Sequence, residues 1–416
     1  MIYRKLIPLT ILTIVLIGCG SQTQNTPKAL FIIVDGIPAD VIENINPPTI
    51  DEIKNVGGYT RSYVGGTKDS YNQTPTISAP GYMSVVTGTW GNKHNVWDND
   101  VADPNYNYWN IFRIVEETKP ALQTAIFSTW EDNRTKLLGE GLEQAGSLQL
   151  DYKFDGLELD TVKYPHDSES DYILKIDEAV SEEAARYITT EGPDVSWVYL
   201  QYTDDMGHRY GDSPKFHDAI KKADANIGKI WAAIKNRQQK YSEDWLIVIT
   251  TDHGRDAATG KHHGGQSDRE RDTWIVTNSA AINERFKSAA VVDILPSILN
   301  HLGVSIPPNI QGEVDGVPFI GKIDLADLKA ERNGDTVYLQ WKNFNARDTT
   351  KAEVFFTETN FFKDGSSDDY QKAGEVFLKD EKFTFALRSD STFAKVVVKG
   401  PHHCANVWLS EPKNSF

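Results

Sequence analysis

Leu246-Ile247-Val248-Ile249-Thr250-Thr251-Asp252-His253-Gly254 passes without a break from an apolar, β-branched run into a carboxylate, an imidazole and a glycine. An apolar run of this length that ends in a turn reads as a strand buried on both faces, as in a parallel sheet covered by helices. The same form recurs at Leu30-Phe31-Ile32-Ile33-Val34 before Asp35-Gly36, and again at 124–129 (TAIFST), 197–202 (WVYLQY) and 274–277 (WIVT). Helical patterns lie between these runs. Ile220, Ala223, Ile227, Ile230 and Ile234 fall three or four apart on one stripe, and 292–302 (VDILPSILNHL) forms a second helix with Pro296 near its start. Strands alternating with helices predict an α/β three-layer domain with a mainly parallel central sheet over roughly residues 28–325.

Beyond that point the period changes. Val337, Leu339 and Trp341 alternate with polar neighbours, as do Phe383, Phe385 and Leu387, and short apolar runs follow at 354–356, 396–398 and 407–409. This pattern predicts a small β-sandwich over residues 326–416, similar to a fibronectin type III or immunoglobulin-like module. Trp341 and Trp408 are read as its core rather than as sugar platforms. Its role as spacer, lid or carbohydrate-binding module stays open at this level.

Composition bounds the partners. The chain has 416 residues, 39% hydrophobic and 25% charged, as expected of a folded protein of two or three domains. A net charge of −16 disfavours nucleic-acid polymers, because every phosphate contact would meet like-charge repulsion. Residues 1–18 read as a signal peptide: Arg4 and Lys5 precede an apolar run at 6–17, interrupted by Pro8 and too short to span a bilayer of about 30 Å. The run ends in Leu16-Ile17-Gly18-Cys19, which resembles the bacterial lipoprotein signal. That resemblance implies lipidation at Cys19, a polar tether over 19–27, and a lipid-anchored protein of the bacterial cell envelope, outside the cytoplasm. Ordinary secretion is the alternative. With only two cysteines, Cys19 and Cys404, a disulfide-stapled scaffold is excluded.

Residues able to bind a metal cluster at the predicted strand ends, where an open α/β sheet places its ligands. Asp35 follows the first strand, Asp204 and His208 follow WVYLQY, Asp252 and His253 follow LIVIT, and His262-His263-Gly264-Gly265 comes ten residues later. A strand-end Asp alone is commonly a cap, and a His doublet is commonly solvated. Four such elements together are costly to bury without cations. Carboxylate oxygen with imidazole nitrogen and no thiolate suits zinc, and suits manganese or iron less well. Ser78 stands where a polar loop enters a helical segment (76–88, TISAPGYMSVVTG), either as a helix cap or as a nucleophile that a metal could ionise.

The order Asp35, Ser78, Asp204/His208, Asp252-His253, His263 resembles the alkaline-phosphatase superfamily, especially its nucleotide pyrophosphatase/phosphodiesterase branch, over roughly residues 28–320. The resemblance implies two zinc ions, one held by Asp35, Ser78, Asp252 and His253 and the other by Asp204, His208 and His263. His263 is preferred to His262 because the family's His directly precedes Gly. His94-Asn95-Val96-Trp97-Asp98-Asn99 is similar to a stretch ending in an oxyanion-stabilising Asn, which gives Asn99 that role. Val86-Thr87-Gly88 and the segment carrying Asp293, Pro296, Gly303 and Pro307 also resemble family features. The implied activity is phosphodiester hydrolysis through a phosphoseryl intermediate, on a small-molecule, glycan or lipid-head phosphoester.

Two departures keep other classes open. The branch usually carries Thr at the nucleophile. The segment also partly fits the sulfatase pattern, with Pro80 in place but Tyr82 where that pattern has Arg. A phosphomonoesterase, a sulfatase, a phospho-group transferase and a metal-free surface binding protein remain alternatives. Lys68, Arg134 and Arg255 are cations that a monoesterase could use, but the sequence does not locate them. His402-His403-Cys404 has no acidic neighbour in sequence and reads as incidental.

Overall fold

The computed structural model describes residues 25–410 apart from 346 and 348, so the predicted signal segment and Cys19 lie outside the described residues. Seven strands form the central sheet: β1 (Thr26–Val34), β2 (Gly58–Tyr63), β3 (Thr124–Ser128), β4 (Tyr152–Phe154), β5 (Val195–Leu200), β6 (Glu243–Thr250) and β7 (Asp272–Thr277). Their order is β2-β7-β6-β1-β5-β3-β4. Pairings of β1 with β5 and β6, and of β3 with β4 and β5, are parallel, whereas β7 runs antiparallel to both its neighbours. The sheet is therefore mainly parallel, as the uninterrupted apolar runs predict.

Alternation along β1 shows why such a run is needed. Phe31 and Ile33 pack on one face with the helices Ser78–Thr87, Ile111–Thr118 and Ile294–Leu302. Leu30, Ile32 and Val34 pack on the other with Asp171–Thr190 and Pro214–Lys240. Both faces are covered, so polar residues are excluded until the strand ends. One expected boundary moves: the run 197–202 is strand only to Leu200, and Tyr202 opens the helix Tyr202–Tyr210. This shift carries Asp204 and His208 onto one helix, four residues apart on one face.

The remaining strands, β8 (Leu325–Asn333), β9 (Thr336–Asn343), β10 (Lys351–Thr357), β11 (Gln371–Phe377), β12 (Lys382–Ala386), β13 (Phe393–Lys399) and β14 (Cys404–Ser410), form two antiparallel sheets. Their orders are β11-β10-β13-β14 and β12-β9-β8. Between the sheets lies a core containing Val337, Leu339, Trp341, Val354 and Val396. Trp341 and Trp408 are both buried. This β-sandwich docks through desolvated polar contacts. Lys93 reaches Asp315 at 2.6 Å and Asn406 at 2.8 Å, and Lys395 pairs with Glu313 at 2.9 Å and Asp368 at 2.7 Å.

Candidate metal centre and nucleophile

Ser78 is the first residue of its helix, preceded by Ile77 in extended conformation. The helix approaches the end of β6 closely at Gly81, where a Cβ would lie 2.9 Å from the Asp252 carbonyl oxygen. That contact brings Ser78 Oγ to 3.3 Å from His253 Nε2. His253 Nδ1 donates to the Gly254 carbonyl at 2.9 Å, leaving Nε2 to face the site. Around Nε2 stand Asp35 Oδ1 at 3.4 Å and Asp252 Oδ2 at 3.3 Å.

Asp35 is held from behind. Its Oδ2 accepts hydrogen bonds from the phenols of Tyr82 and Tyr199, the latter at 2.7 Å. Oδ1 has no partner among the described residues, and neither does Asp252 Oδ2. Burial pushes the carboxyls of Asp35 and Asp252 upward from the carboxylate range, aided by the charges of Asp252 and Asp204 at Asp35 and of Asp204 at Asp252. Burial, and then the neighbouring His263, hold His253 well below its ordinary value, so its imidazole is neutral.

The second cluster adjoins the first. Asp204 Oδ2 lies 3.3 Å from His208 Nε2, and His263 Nε2 lies 3.0 Å from His208 Nε2. His263 Nδ1 donates to the Thr76 carbonyl at 2.9 Å, which turns Nε2 inward. Thr76 Oγ1 in turn links the Gly264 amide and the Gly265 carbonyl, joining the His263 loop to the loop that leads into Ser78. Burial disfavours the charged form of Asp204, but the His208 hydrogen bond and the Arg255 charge outweigh it and keep this carboxyl below its usual range. His262, the other member of the doublet, is exposed.

The structure therefore brings Asp35, Ser78, Asp204, His208, Asp252, His253 and His263 to one place. Asn99 joins them: its Oδ1 accepts from the Ala79 amide at 2.9 Å, and it lines a cavity of about 240 Å³ with Asp35, Ser78, Tyr82, Trp130, Tyr199, Gln201 and Asp204.

The profile of the family described as type I phosphodiesterase / nucleotide pyrophosphatase matches residues 29–302, the stretch that carries all of these side chains. The chain belongs to this family. It is 24% identical over 250 residues to ectonucleotide pyrophosphatase/phosphodiesterase family member 1 of Mus musculus, covering 59% of this chain and 26% of that protein. It is 22% identical over 261 residues to a bis(5'-adenosyl)-triphosphatase of Bos taurus, covering 60% of this chain and 52% of that one. The chain thus spans about a quarter of one relative and about half of the other. A candidate sulfatase structure from Bacteroides thetaiotaomicron shares the fold, with a TM-score of 0.50 and 12% identity over 83% of this chain and 85% of that one.

Family membership is metal-dependent chemistry, and the residues present fit a divalent ion. Two buried carboxylate oxygens aimed at a neutral imidazole nitrogen, with no partner among the described residues, are costly unless a cation completes them. Two groups of side chains stand close enough to hold an ion, Asp35-Asp252-His253, which carries both of those oxygens, and Asp204-His253-His263. Tyr82, Tyr199, Trp130 and Gln201 were not singled out by the sequence as site-forming. Tyr82 was visible only as a residue standing where the sulfatase pattern has Arg, and here its hydroxyl serves Asp35.

The three unlocated cations are accounted for. Arg134 is engaged by Glu131, Glu140 and Asp155. Lys68 is exposed in the loop before Ser78. Arg255 is buried beneath Asp204. None of the three lines the cavity over Ser78.

Proposed function

We propose that this member of the family is a phosphodiesterase that uses Ser78 as nucleophile and two divalent ions, zinc by the chemistry of the donor set. The observation that carries the preference for diesters is the lining of the cavity over Ser78. Apart from the ligand carboxylates its walls are Tyr82, Asn99, Trp130, Tyr199 and Gln201, all neutral, with no Lys or Arg among the described residues. A diester carries one negative charge and needs no further cation. A monoester dianion would meet no guanidinium or ammonium there.

Asp35, Ser78, Asp252 and His253 would hold one ion, and Asp204, His208 and His263 the other. Such ions supply Lewis-acid charge and lower the pKa of a bound hydroxyl. Ser78 Oγ attacks phosphorus, and the bond from phosphorus to the leaving oxygen breaks as the new ester forms. Water then cleaves the phosphoseryl ester and returns the hydroxyl to Ser78. Asn99 has spent Oδ1 on the Ala79 amide, so Nδ2 is the group available to a non-bridging oxygen. A donor in that role is worth about 3 kcal/mol of transition-state stabilisation. Trp130 and Gln201, both half-buried, offer a surface for the leaving group. The relatives' names make a nucleotide the first class of substrate to try.

The test compares bis-p-nitrophenyl phosphate, p-nitrophenyl phosphate and p-nitrophenyl sulfate, with metal counted per chain and Ser78→Ala as control. A diester preference, lost by about 10³-fold or more in the control, is expected. A monoester or sulfate preference would sink the diesterase reading and leave the family intact.

We also place the protein outside the cytoplasm on a lipid at Cys19, on the strength of the sequence at 1–19. Among the described residues, no helix is long and apolar enough to cross a membrane. Cys19→Ala should move activity from the membrane fraction to the soluble one, and unchanged partitioning would refute the anchor.

A further inference from the structure

The two halves of the candidate metal centre are backed by different chemistry. Behind Asp35 stand two neutral phenols, and Asp252 accepts only the Gly36 amide at 3.1 Å through Oδ1. Behind Asp204 stands a buried cation. Arg255 has a fully buried side chain, and its Nη2 pairs with Asp204 Oδ1 and donates to the Asp204 carbonyl at 2.9 Å. Its Nε donates to the Gly36 carbonyl at 2.8 Å and its Nη1 to the Lys261 carbonyl at 3.1 Å.

The guanidinium sits in a cavity shaped for it. Gly36 has φ +66°, and a Cβ there would lie 2.6 Å from Arg255 Nη2. A Cβ at Gly207, immediately before His208 on the helix that carries Asp204, would collide with the Arg255 Cζ and Nε atoms. The Phe216 ring lies 5.7 Å from Cζ on the remaining side. Two glycines and an aromatic face thus leave room for this group. Asp205, the adjacent carboxylate, is turned to Gln201 and Ser170 and does not offset the charge.

The formal charges differ accordingly. With neutral imidazoles, the Asp35 half presents two carboxylates with no cation in contact. The Asp204 half presents one carboxylate already paired with a guanidinium, which is a permanent cation in proteins. One Asp204 oxygen is committed to Arg255, and a divalent ion entering here meets a like charge across a low-dielectric contact. His208, on the same half, opens to solvent with 45% of its side chain exposed.

We infer that Arg255 is a positioning residue that makes the two sites unequal, so that the Asp35 half fills first and tightly while the Asp204 half binds its ion more weakly and exchanges it with solvent. This rests on the two-metal reading above and adds to it an order of loading and the residue that sets it.

The experiment dialyses the full chain against zinc buffers of stepped free concentration and counts zinc per chain by atomic emission. Wild type should fill in two steps separated by at least about 10-fold in free zinc. His208→Ala should remove the second step and keep the first. Arg255→Gln, which removes the charge, should bring the second step down by about 10-fold, whereas Arg255→Lys, which keeps charge and loses the fork, should not. If Arg255→Gln does not fold, Gly207→Ala displaces the guanidinium with every ligand retained, and should act like Arg255→Gln. A single step of two zinc ions in wild type would overturn the inference, as would an upward shift of the second step in both Arg255 variants. Retention of no zinc at any concentration would instead remove the two-metal reading itself, so the two failures are told apart.

Discussion

At the strand ends of the α/β part, Asp35, Asp252 and His253 converge. At the junction with the β-sandwich, Asp324 converges with His402 and His403. Both are carboxylate–imidazole clusters built on buried carboxylates, although His402 is exposed. At the junction every buried group is spent. Asp324 Oδ1 accepts from Asn345 Nδ2 and from His402 Nδ1, each at 2.8 Å, and Oδ2 accepts the His402 amide at 2.6 Å. His403 Nε2 donates to the Leu325 carbonyl at 2.7 Å, and its Nδ1 accepts the Asp324 amide at 3.3 Å. At the strand ends, Asp35 Oδ1 and Asp252 Oδ2 are left over. Residue types alone do not separate a metal centre from a structural knot. Unspent acceptor atoms do.

Removing a member of each cluster should therefore have opposite consequences. Asp252→Asn should lower turnover by about 10³-fold or more, a ligand charge having been lost. The metal-free variant should melt no lower than the metal-free parent, because one of two repelling buried carboxylates has been neutralised. Asp324→Ala should do the reverse, leaving kcat unchanged while costing about 2–3 kcal/mol of unfolding free energy, since several donors lose a buried acceptor. Kinetics and urea unfolding on the same two variants check both. Loss of activity in Asp324→Ala at full folding would break the distinction.

The comparison also explains what could be read from the sequence. β1, β3, β5, β6 and β7 are legible because burial on both faces excludes polar residues for five or more positions. β2 and β4 are not. Both lie at edges of the sheet, and their exposure alternates or stays intermediate, so no pure apolar run marks them. The ligand-type residues stand out because acids and histidines follow immediately on apolar strands. Their supports do not, because those act across the fold: Tyr199 reaches Asp35 over 164 positions, and Arg255 reaches Gly36 over 219. The reading of His402-His403-Cys404 as incidental for want of an acid is corrected for the same reason. Asp324 supplies the acid from 78 positions away, where the turn before β14 packs on the start of β8 in the other sheet, a contact that no local pattern announces.

The smallest effect concerns a third buried imidazole, which belongs with the spent class. His94 is fully buried, its Nδ1 accepts the Val96 amide at 3.1 Å, and its Nε2 lies 3.2 Å from Ser84 Oγ. A proton on Nδ1 would face an N–H donor, and burial moves the group down to about 3. The unfolded chain titrates near the ordinary value of about 6.5. Between these values the unfolded state binds a proton that the folded state refuses, so the stability contributed is complete above about pH 6.5 and declines as pH falls towards 3. The loss between pH 6.5 and 5 is about 2 kcal/mol at roughly 1.4 kcal/mol per unit. Urea unfolding of the metal-free chain at pH 7, 6 and 5 should show this decline, and His94→Gln should flatten it by about that amount. Parallel pH profiles for parent and variant would show that His94 accepts its proton in place, and the rule that a spent imidazole stays neutral would fail at its most buried example.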